Sequence, residues 1–376
     1  MNKPKTAIGM MSGTSADGID ACFVEIAEDF SFKILETHSI DYPEEIYKKI
    51  LAAANNKADT ALICKLNFAL AHLFAKCANE LIEKKGEKPD FIANHGQTIF
   101  HLPSAENIAG IPADSTLQIG DISVIAQETG VCTIGNFRTR DLAAGGQGAP
   151  LVPFADELIF KKEIPRTIQN IGGIGNVTVL SPDCETFAFD TGAGNMLIDY
   201  FVQKFFDKPF DKGGKIALGG KINEKWLNEL LKEPYYSKKP PKTTGRELFN
   251  EDYAQKLLKT APKDKTDLIT TITELTARTI ADAYKNFVLP KTSIKEVVLG
   301  GGGAYNHAII AGLKRHLPDL TIKTHADFGI NDKYKEALAF ALLGYCTLMH
   351  IPNNLPACTG ARMPVVMGEI DRKSVV

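Results

Sequence analysis

GMMSGTSADGID, residues 9–20, joins two strand-like runs, Ala7 to Met11 and Ala21 to Ile26, through a turn of small residues. Small residues leave the backbone N–H groups of such a turn exposed, and those groups together with the hydroxyls can surround phosphate oxygens. Asp17 and Asp20 add carboxylates suited to a hydrated Mg²⁺. An ordinary hairpin is the alternative, because turn chemistry alone favours glycine and aspartate.

A second glycine-rich hairpin, NIGGIGN at residues 170–176, repeats this plan in the other half of the chain. It lies between the predicted strands Thr167 to Ile171 and Val177 to Leu180, so it leads into a strand and not into the helix that a dinucleotide fingerprint requires. The sequence therefore argues against a Rossmann fold. Two phosphate-binding hairpins, one in each half, favour a nucleotide held between two lobes.

A run of four glycines, Gly300 to Gly303, separates the predicted buried strand Glu296 to Leu299 from a helix. Glycine lets a flat ring or a phosphate approach the backbone and the helix N-terminus closely. A flexible connector between strand and helix is the alternative. The pattern G-x-x-x-x-G-K-[ST] does not occur in the sequence, which argues against a P-loop enzyme.

The length of 376 residues exceeds that of one ordinary domain and predicts two. With 44% hydrophobic and 23% charged residues, the composition is typical of a globular protein in solution. The formal net charge of −2 and the pI near 6.5 provide no electrostatic footprint for nucleic acid or for an anionic membrane. We therefore expect small-molecule ligands, with no nucleic-acid or membrane partner.

The seven cysteines are scattered, odd in number and never spaced C-x-x-C, which predicts a reducing compartment, the cytoplasm. The first residues run directly into a strand-like segment without the apolar core of a signal peptide. By sequence, no window approaches the ~20 apolar residues of a membrane span. The eight histidines form no H-x-x-H or H-E-x-x-H pattern, so a transition-metal site built from them is not expected.

Short β-rich runs alternate with amphipathic helical stretches, which is the pattern of an α/β protein. Predicted helices include Ala58 to Lys85, a stretch from about Asn195 to Phe206, Asp267 to Val288 and Asn331 to Met349. The Pro- and Lys-rich segment Lys232 to Glu247 is either a solvated loop or a lid near the substrate. We expect a first lobe of residues 1–135 plus about 351–376, and a second lobe of residues 136–350.

Several blocks occur together, in order, over nearly the whole chain: MSGTSADGID, NHGQT (94–98), NFRTRDLAAGGQGAPLVP (136–153), NIGGIGN, FDTGAGN (189–195), PPKTTGRE (240–247) and GGGAYN. As a set they resemble the anhydro-N-acetylmuramic acid kinase family. The resemblance implies an α/β fold of two similar actin-like (ribonuclease H-like) lobes with a nucleotide cleft between them, and a homodimer. It also implies the reaction in which ATP and water convert 1,6-anhydro-N-acetylmuramic acid to N-acetylmuramic acid 6-phosphate and ADP during peptidoglycan recycling.

The resemblance also implies roles for individual residues. Asp190 matches the catalytic base of the family, and Ala193 stands where the family commonly has proline, a change that loosens the turn without touching the carboxylate. Residues 13–20 match the nucleotide-phosphate segment of the family. Together with the other two glycine-rich motifs, the residues expected to contact ATP are Gly13, Thr14, Ser15, Ala16, Asp17, Gly18, Ile19, Asp20, Gly172, Gly173, Gly175, Asn176, Gly301, Gly302 and Gly303.

Five polar residues are candidates for contact with the sugar or for catalysis. His95 and Gln97 follow a predicted strand, where α/β proteins place ligands, although a structural role for His95 is the alternative. Arg138, or as the alternative Arg140, is expected to pair with the lactyl carboxylate in a bidentate fork, with Gln147 as a neighbour. Glu336, on the apolar side of a helix start, is a second catalytic candidate, or else a solvated first-turn glutamate stabilised by the helix dipole.

Two other functions are compatible with the motifs. The first is an actin-like-fold kinase that phosphorylates an ordinary sugar hydroxyl, which consumes no water and yields no new reducing end. The second is an ATP-gated binding protein of the actin or chaperone type, in which hydrolysis only switches conformation. Turnover of ATP with and without the anhydro sugar, followed by mass analysis of the product, separates the three functions.

Overall fold

Strands and helices alternate along the chain in the computed structural model, which describes residues 3–13, 15–103, 107–161, 163–245 and 247–373. The strands are β1 (Lys5–Ser12), β2 (Gly18–Ile26), β3 (Phe32–Asp41), β4 (Phe91–Leu102), β5 (Asn107–Ile108), β6 (Ile111–Pro112), β7 (Ser115–Ile119), β8 (Cys132–Gly135), β9 (Arg166–Ile171), β10 (Ile174–Leu180), β11 (Phe187–Ala193), β12 (Glu296–Gly300), β13 (Thr321–Thr324) and β14 (Glu369–Asp371).

The α-helices are α1 (Glu44–Ala54), α2 (Thr60–Lys85), α3 (Ile122–Thr129), α4 (Phe137–Ala143), α5 (Val152–Phe160), α6 (Met196–Phe206), α7 (Glu224–Leu230), α8 (Pro234–Ser237), α9 (Glu251–Leu257), α10 (Lys265–Ala283), α11 (His307–His316), α12 (Lys335–Leu348) and α13 (Pro356–Thr359). A π-helical turn, Tyr284–Val288, extends α10. Short 3₁₀ turns cover Lys212–Gly214, Ala217–Gly219, Gly302–Tyr305, His325–Phe328 and Asp332–Tyr334.

The chain divides into two units, the first formed by Met1–Phe160 with Lys333–Val376 and the second by Lys161–Asp332. The sheet of the first unit has the strand order β14-β8-β4-β1-β2-β3, with β7 paired to β4. β1, β2 and β3 are antiparallel neighbours, whereas β4 is parallel to β1 and β8 is parallel to β4. This mixed sheet places the carboxyl ends of β1 and β4 at one edge.

Both faces of the β1 strand are covered by helices, because successive side chains of a strand point to opposite faces. Ile8 and Met10 pack in one core cluster with Phe74 of α2. On the other face α12 approaches so closely that a Cβ built on Gly9 would lie 1.9 Å from the carbonyl oxygen of Ala337. Glycine at position 9 is therefore a packing requirement of the helix α12.

α2 is long and apolar enough to cross a membrane by length and composition, with a mean hydropathy of 1.4 over 18 residues, unlike the expectation from the sequence. Its buried residues nevertheless recur at helical spacing, among them Leu66, Leu70, Phe74, Cys77 and Leu81. They pack against the sheet of the first unit, so in this structure α2 is a core helix.

The sheet of the second unit has the order β11-β10-β9-β12-β13. β9, β10 and β11 are antiparallel, β12 is parallel to β9, and β13 is parallel to β12. Phe201 of α6, Ile272 of α10 and Leu313 of α11 join Val177 and Leu299 of the sheet in the core cluster. The helices thus bury the sheet as expected for an α/β layer structure.

The two units share one topology. Five strands of the first sheet, in the order β3-β2-β1-β4-β8, match the order β11-β10-β9-β12-β13 of the second. In both sets three antiparallel strands are followed by two strands parallel to the first, and the first sheet has β7 and β14 in addition. In each unit a glycine-rich hairpin joins the first strand to the second. The prediction of an α/β protein with two similar lobes is confirmed by this repeated topology.

The unit boundaries lie at residues 160/161 and 332/333, whereas the sequence led us to expect 135/136 and about 350/351. Residues 136–160 and α12 belong to the first unit, because α12 packs on β1, on β4 and on α5. Nearly every residue of α12 from Ala337 to Thr347 is buried, so its sequence lacks the polar stripe that would show which sheet it covers.

Candidate active site

The hairpin between β1 and β2 is a tight turn with one open side. The Ala16 N–H donates to the carbonyl of Gly13 at 3.1 Å, and the Ser15 hydroxyl donates to the Asp17 carboxylate at 2.9 Å. Among the described residues, a Cβ built on Gly13 would meet only Ser15 Oγ, at 3.8 Å. Thr14 lies outside the described residues. The space beside Gly13 can therefore receive an anion against the backbone.

Gly18 and Ile19, which we expected at the nucleotide, have structural reasons for their identity. A Cβ on Gly18 would lie 2.3 Å from the carbonyl oxygen of Ile40 in β3. The Ile19 side chain is buried in the core of the first unit. At these two positions only backbone groups are left for a ligand.

Gln97 supports the first hairpin from β4. Its buried side chain donates from Nε2 to the carbonyl of Gly13 at 3.1 Å and accepts from the Ser12 hydroxyl at Oε1, at 2.6 Å. The Tyr42 hydroxyl in turn donates to Ser12 Oγ at 3.0 Å. Both ends of the Gln97 amide are used beneath the turn, so the structure places Gln97 under the hairpin, where the sequence had led us to expect a sugar contact.

His95 and Arg138 form a buried pair in the first unit. Arg138 Nε donates to His95 Nε2 at 3.1 Å, so the ring proton is on Nδ1, which donates to the carbonyl of Gly96 at 2.9 Å. Burial, reinforced by the charge of Arg138, lowers the pKa of His95 to about 3. His95 is therefore neutral at physiological pH and orients the guanidinium.

The guanidinium of Arg138 keeps donors available after these contacts. Nη1 donates to the carbonyl of Gly148 at 2.8 Å, and Nη2 makes no hydrogen bond with any described residue. Burial lowers the pKa of Arg138 to about 10, and the negative charge of Glu336 opposes that shift, so the side chain stays cationic at neutral pH. Arg138 thus offers a fixed positive charge to an anionic ligand group.

Asp141 holds the glycine-rich loop that contains Gln147. Its buried carboxylate accepts from the Gly148 N–H at 2.8 Å, from the Thr359 hydroxyl at 2.8 Å and from the Asn354 amide at 2.7 Å. The backbone of Gln147 is tied to this framework, while its side chain is exposed and makes no hydrogen bond within the described part of the chain. The structure brings no other predicted site residue into hydrogen-bond contact with the Gln147 side chain.

Asp20 and Glu336 place negative charge near the hairpin. Asp20 accepts from the Ser39 hydroxyl at 2.7 Å and lies 3.5 Å from Lys333 Nζ. Burial raises the pKa of Asp20 and the charge of Asp17 adds to this, whereas Ser39 and Lys333 oppose it. Glu336 is exposed at the start of α12, and its pKa is raised by the surrounding protein, with a contribution from the charge of Asp20. The two carboxylates therefore interact with one another.

The start of α12 is fixed by a buried ion pair next to Glu336. Lys335 Nζ lies 2.6 Å from the carboxylate of Asp156 in α5, and both side chains are at most 10% exposed. The charge of Lys335 partly offsets the rise in the pKa of Glu336. This pair fixes the helix turn that carries Glu336.

Asp17 and Asp20 were expected to hold Mg²⁺, and their oxygen donors suit that ion. Within the described ranges, no group of three or more His, Cys, Asp and Glu side chains can hold a metal by itself. A pair of carboxylates fits a cation that keeps several waters and also binds phosphate, which is how Mg²⁺ is usually held.

In the second unit, the hairpin of residues 171–174 is tied to the start of α6. The carbonyl of Gly172 accepts from the Asn195 N–H at 2.7 Å, and that of Gly173 accepts from the Gly194 N–H at 2.9 Å. Cβ atoms on Gly172 and Gly173 would meet nothing closer than 3.5 Å. The outer side of this turn is open in the same way as the turn at Gly13.

Gly175 and Asn176 lie further along β10 and contact neighbouring strands. A Cβ on Gly175 would lie 2.7 Å from the Thr191 hydroxyl. Asn176 pairs with Asp190 across β10 and β11, and its carbonyl accepts from Gln169 Nε2 at 2.9 Å. Asn176 thereby connects the second hairpin to the strand that carries Asp190.

The third glycine cluster packs against the end of β9. Gly301 has φ of 77° and a Cβ there would lie 2.6 Å from Asn170 Oδ1, while one on Gly303 would lie 2.3 Å from Ile171 Cγ2. The Gly301 N–H donates to Asp332 at 3.3 Å. Close approach to β9 explains Gly301 and Gly303, and Gly302 is left facing a cavity.

This cavity has a volume of about 450 Å³, which is large enough for a nucleoside. It lies in the second unit, and its lining comes from the starts of α6 and α11 and from the segment between α6 and α7. The lining residues are Asn195, Ile198, Asp199, Phe210, Asp211, Lys212, Gly213, Gly302, Tyr305 and Asn306. Asn306 caps α11 by accepting from the Ala308 N–H at 3.0 Å.

Asp190 lies on β11 with its carboxylate held at one oxygen. Oδ2 accepts from the Thr244 N–H at 2.8 Å, and no described residue donates to Oδ1. Burial raises the pKa of Asp190 to about 6; Glu247 adds to the rise, while the hydrogen bond from Thr244 and the charge of Lys242 oppose it. An oriented carboxylate with one free oxygen and a pKa near neutrality suits a general base.

The segment Lys232 to Glu247 packs against Asp190 and is therefore no freely solvated loop. Tyr235 and Lys242 in it are buried, and the Tyr235 hydroxyl donates to the carbonyl of Asp190 at 2.9 Å. The Asp190 N–H donates to the carbonyl of Lys242 at 3.1 Å. Sequence reasoning missed these contacts, although the segment contains PPKTTGRE, one of the blocks on which the family resemblance rests.

Comparison with known proteins gives a consistent result over the whole chain. The family model described as "Anhydro-N-acetylmuramic acid kinase" matches residues 5–373. A solved ROK family glucokinase from Streptomyces griseus covers 90% of this chain and 98% of its own, but at 9% identity and a TM-score of 0.41, a likeness too weak to argue from.

Three curated relatives carry the same name, "Anhydro-N-acetylmuramic acid kinase". The protein from Caldanaerobacter subterraneus subsp. tengcongensis is 44% identical over 97% of this chain and 96% of its own length. The proteins from Clostridioides difficile strain 630 and Bacillus cereus strain Q1 are 43% and 42% identical, each over 98% of this chain and over 98% and 99% of their own. The chain is therefore a sugar kinase that belongs to the anhydro-N-acetylmuramic acid kinase family.

Proposed function

We propose that this protein uses ATP and water to open 1,6-anhydro-N-acetylmuramic acid and to phosphorylate its O6, giving N-acetylmuramic acid 6-phosphate and ADP in peptidoglycan recycling. The observation that carries the proposal is the desolvated Asp190 carboxylate, which is held at Oδ2 by the Thr244 N–H and has no donor to Oδ1 among the described residues. The anhydro sugar has no free 6-hydroxyl, so a base for water is the group that the reaction needs most.

In the proposed reaction Asp190 accepts a proton from water as the water oxygen attacks C1. The C1–O6 bond breaks, and the released O6 attacks the γ-phosphorus of ATP in line. The bond between that phosphorus and the oxygen bridging to the β-phosphate then breaks, which releases ADP. The proton on Asp190 then passes to solvent. A carboxylate with a pKa near 6 is a stronger base than an ordinary aspartate and is still mostly ionised at neutral pH.

For the phosphates of ATP, we propose two candidate backbone cradles, one in each unit. The open turns at Gly13 and at Gly172 and Gly173 leave N–H groups for phosphate oxygens. The cavity at Gly302 has the size for the nucleoside. We assign Mg²⁺ to Asp17 and Asp20, where the ion would supply charge neutralisation for the phosphates when bound.

For the sugar, we propose that Arg138 binds the lactyl carboxylate through its unused Nη2 donors. His95 is neutral and fixes the plane of that guanidinium, so it is a positioning residue for this contact. Gln147 lies in the glycine-rich loop that follows α4, and its exposed side chain is available to sugar hydroxyls. Glu336, with its raised pKa, is available to exchange a proton with the substrate.

Product analysis tests the proposed function. The protein is incubated with ATP and the anhydro sugar, and the products are examined by mass spectrometry before and after borohydride reduction. We expect one ADP per sugar and a phosphorylated product that contains one added water and a reducible end. A phosphorylated product lighter by one water would favour the kinase of an ordinary hydroxyl, and sugar-independent ATP turnover would favour the ATP-gated binding protein.

We further propose a cytoplasmic, homodimeric enzyme without nucleic-acid or membrane partners. All seven cysteines are free thiols in the structure, and Cys22, Cys77 and Cys346 are buried, which suits a reducing compartment. Fractionation of cells that express the tagged chain, and light scattering on the purified protein, test these two assignments. A membrane-bound or strictly monomeric protein would contradict them.

A further inference from the structure

Lys242 is a buried cation that the reaction itself does not use. Its Nζ donates to the carbonyls of Tyr235 at 3.3 Å and Tyr236 at 3.2 Å, at the end of the short helix α8. The same Nζ lies 4.8 Å from the ring centroid of Tyr235 and 5.0 Å from that of Phe287. The ammonium is thus surrounded by carbonyl oxygens and aromatic faces, both of which stabilise a cation.

Lys242 belongs to the stretch of residues 242–244, which contacts Asp190 from two sides. Its own carbonyl accepts from the Asp190 N–H at 3.1 Å, and two residues later the Thr244 N–H donates to Asp190 Oδ2 at 2.8 Å. Tyr235, whose carbonyl Lys242 binds, donates its hydroxyl to the Asp190 carbonyl at 2.9 Å. Three hydrogen bonds to Asp190 therefore come from the pieces of chain that the Lys242 side chain ties together.

We propose that Lys242 is a positioning residue for the reaction, which fixes the Asp190 carboxylate by fastening the 242–244 backbone to α8. The inference rests on the proposed role of Asp190 as the base. Lys242 acts through the Thr244 N–H and the Tyr235 hydroxyl, and its ammonium group is directed away to the carbonyls of α8.

A purely apolar side chain at position 242 would fill the same space without fastening the 242–244 backbone to α8. Methionine matches the length of the lysine stem and packs on the rings, but it removes the ammonium that joins the two carbonyls. The Tyr235 carbonyl keeps the Lys238 N–H as a donor at 3.2 Å, whereas the Tyr236 carbonyl loses the donor that Lys242 gives it. The 242–244 stretch then loses its tie to α8, and small displacements of a catalytic group are costly in rate.

The charge of Lys242 also gives the proposal a readout that a merely structural residue would lack. Among the described residues, the charge of Glu247 raises the pKa of Asp190 and that of Lys242 lowers it, while the Tyr235 hydroxyl faces the Asp190 carbonyl. Lys242 itself stays mostly protonated at neutral pH, since burial lowers its pKa only to about 8. Removing Lys242 therefore moves the ionisation of Asp190 to higher pH.

The experiment compares Lys242→Met with Lys239→Met, an exposed lysine of the same segment. Turnover of the anhydro sugar is measured from about pH 5 to pH 9, together with KM for both substrates and the thermal midpoint. For Lys242→Met we expect kcat to fall roughly tenfold or more, KM to change little, and the acidic limb of kcat to move to higher pH. Lys239→Met should match the wild type in all of these.

A folded Lys242→Met protein with wild-type kcat and an unmoved acidic limb overturns the inference. If Lys242→Met does not fold, Lys242→Gln keeps a donor for the α8 carbonyls, and its acidic limb should still move to higher pH because the charge is gone. An unmoved limb in Lys242→Gln would equally overturn it. Failure of the proposed function is distinct, since it would show as a wild-type protein that does not convert the sugar, or as full turnover by Asp190→Asn.

Discussion

Replacement of Asp190 by asparagine removes a single negative charge from the site and changes almost nothing in its shape. The amide oxygen of asparagine can still accept from the Thr244 N–H, which now reaches Asp190 Oδ2 at 2.8 Å. The Asp190 N–H and carbonyl keep their bonds to Lys242 and Tyr235, because those use backbone atoms. We therefore expect Asp190→Asn to fold and to bind both substrates as the wild type does.

The expected loss of turnover follows from the role of a general base. Positioned bases contribute about 10²–10⁴-fold, which corresponds to roughly 2.7–5.5 kcal/mol of activation free energy. Since the pKa of Asp190 is raised to about 6, wild-type kcat should be level above about pH 7 and fall about tenfold for each pH unit below 6. In Asp190→Asn that acidic limb should be lost along with most of the rate.

The assay is ADP release at saturating ATP and sugar across the pH range, with ATP affinity measured separately by titration. Asp183→Asn, which changes an exposed aspartate of the same unit, is the matched control and should behave as the wild type. Proton NMR of the first turnovers should show the α anomer, because attack opposite the anhydro bridge inverts C1. A rate within about fivefold of wild type, an unchanged acidic limb, or an initial β anomer would refute the reasoning.

Three further predictions test the phosphate hairpin and the packing of α12. Gly13→Val should leave the thermal midpoint unchanged, since among the described residues a Cβ there meets only Ser15 Oγ at 3.8 Å. The substitution should lower the affinity for ATP in a binding titration, and an unchanged affinity would mean that the hairpin is not part of the site. Gly9→Ala should destabilise the protein by about 3 kcal/mol in denaturant unfolding, because its Cβ would lie 1.9 Å from a backbone oxygen of α12, and a wild-type midpoint would contradict that contact. Lys335→Met should lower the free energy of unfolding by about 3–5 kcal/mol, because it leaves the Asp156 carboxylate buried and unpaired. Adding Asp156→Leu should restore most of that stability, and no recovery in the double variant would mean that the loss has another cause.

The features that sequence could predict are those with a local signature. Both hairpins and the run Gly300 to Gly303 can be recognised in the sequence because glycine is favoured where another group lies close to the backbone. In the structure, neighbouring protein atoms lie that close at Gly18, Gly301 and Gly303. The repeated topology followed from strands on both sides of each hairpin. The expectation that Asp190 is the base rests on the family resemblance, and the structure adds that burial raises the pKa of its carboxyl.

The features that sequence could not predict depend on distant contacts. Gln97 has the chemistry of a sugar ligand, yet its amide is used by Gly13 and Ser12, which are far away in the chain. Lys242 lies in a segment rich in proline and lysine, where local composition favours solvent exposure. Its burial depends on the rings of Phe189 and Phe287, which only the folded chain brings to it.

The first unit is built from two separate stretches of the chain, with the whole second unit between them, and this order affects how the protein folds during synthesis. A ribosome delivers residues 161–332 as one continuous stretch, so the second unit can fold as soon as it emerges. The first unit has to wait, because α12, which covers one face of β1, is translated only after that stretch is complete. Chains that end just before residue 333 and are released from the ribosome should therefore resist protease within 161–332, while the earlier residues are cleaved or held by chaperones. The speed of translation through the second half of the message thus sets how long the apolar face of β1 is left uncovered in the cell.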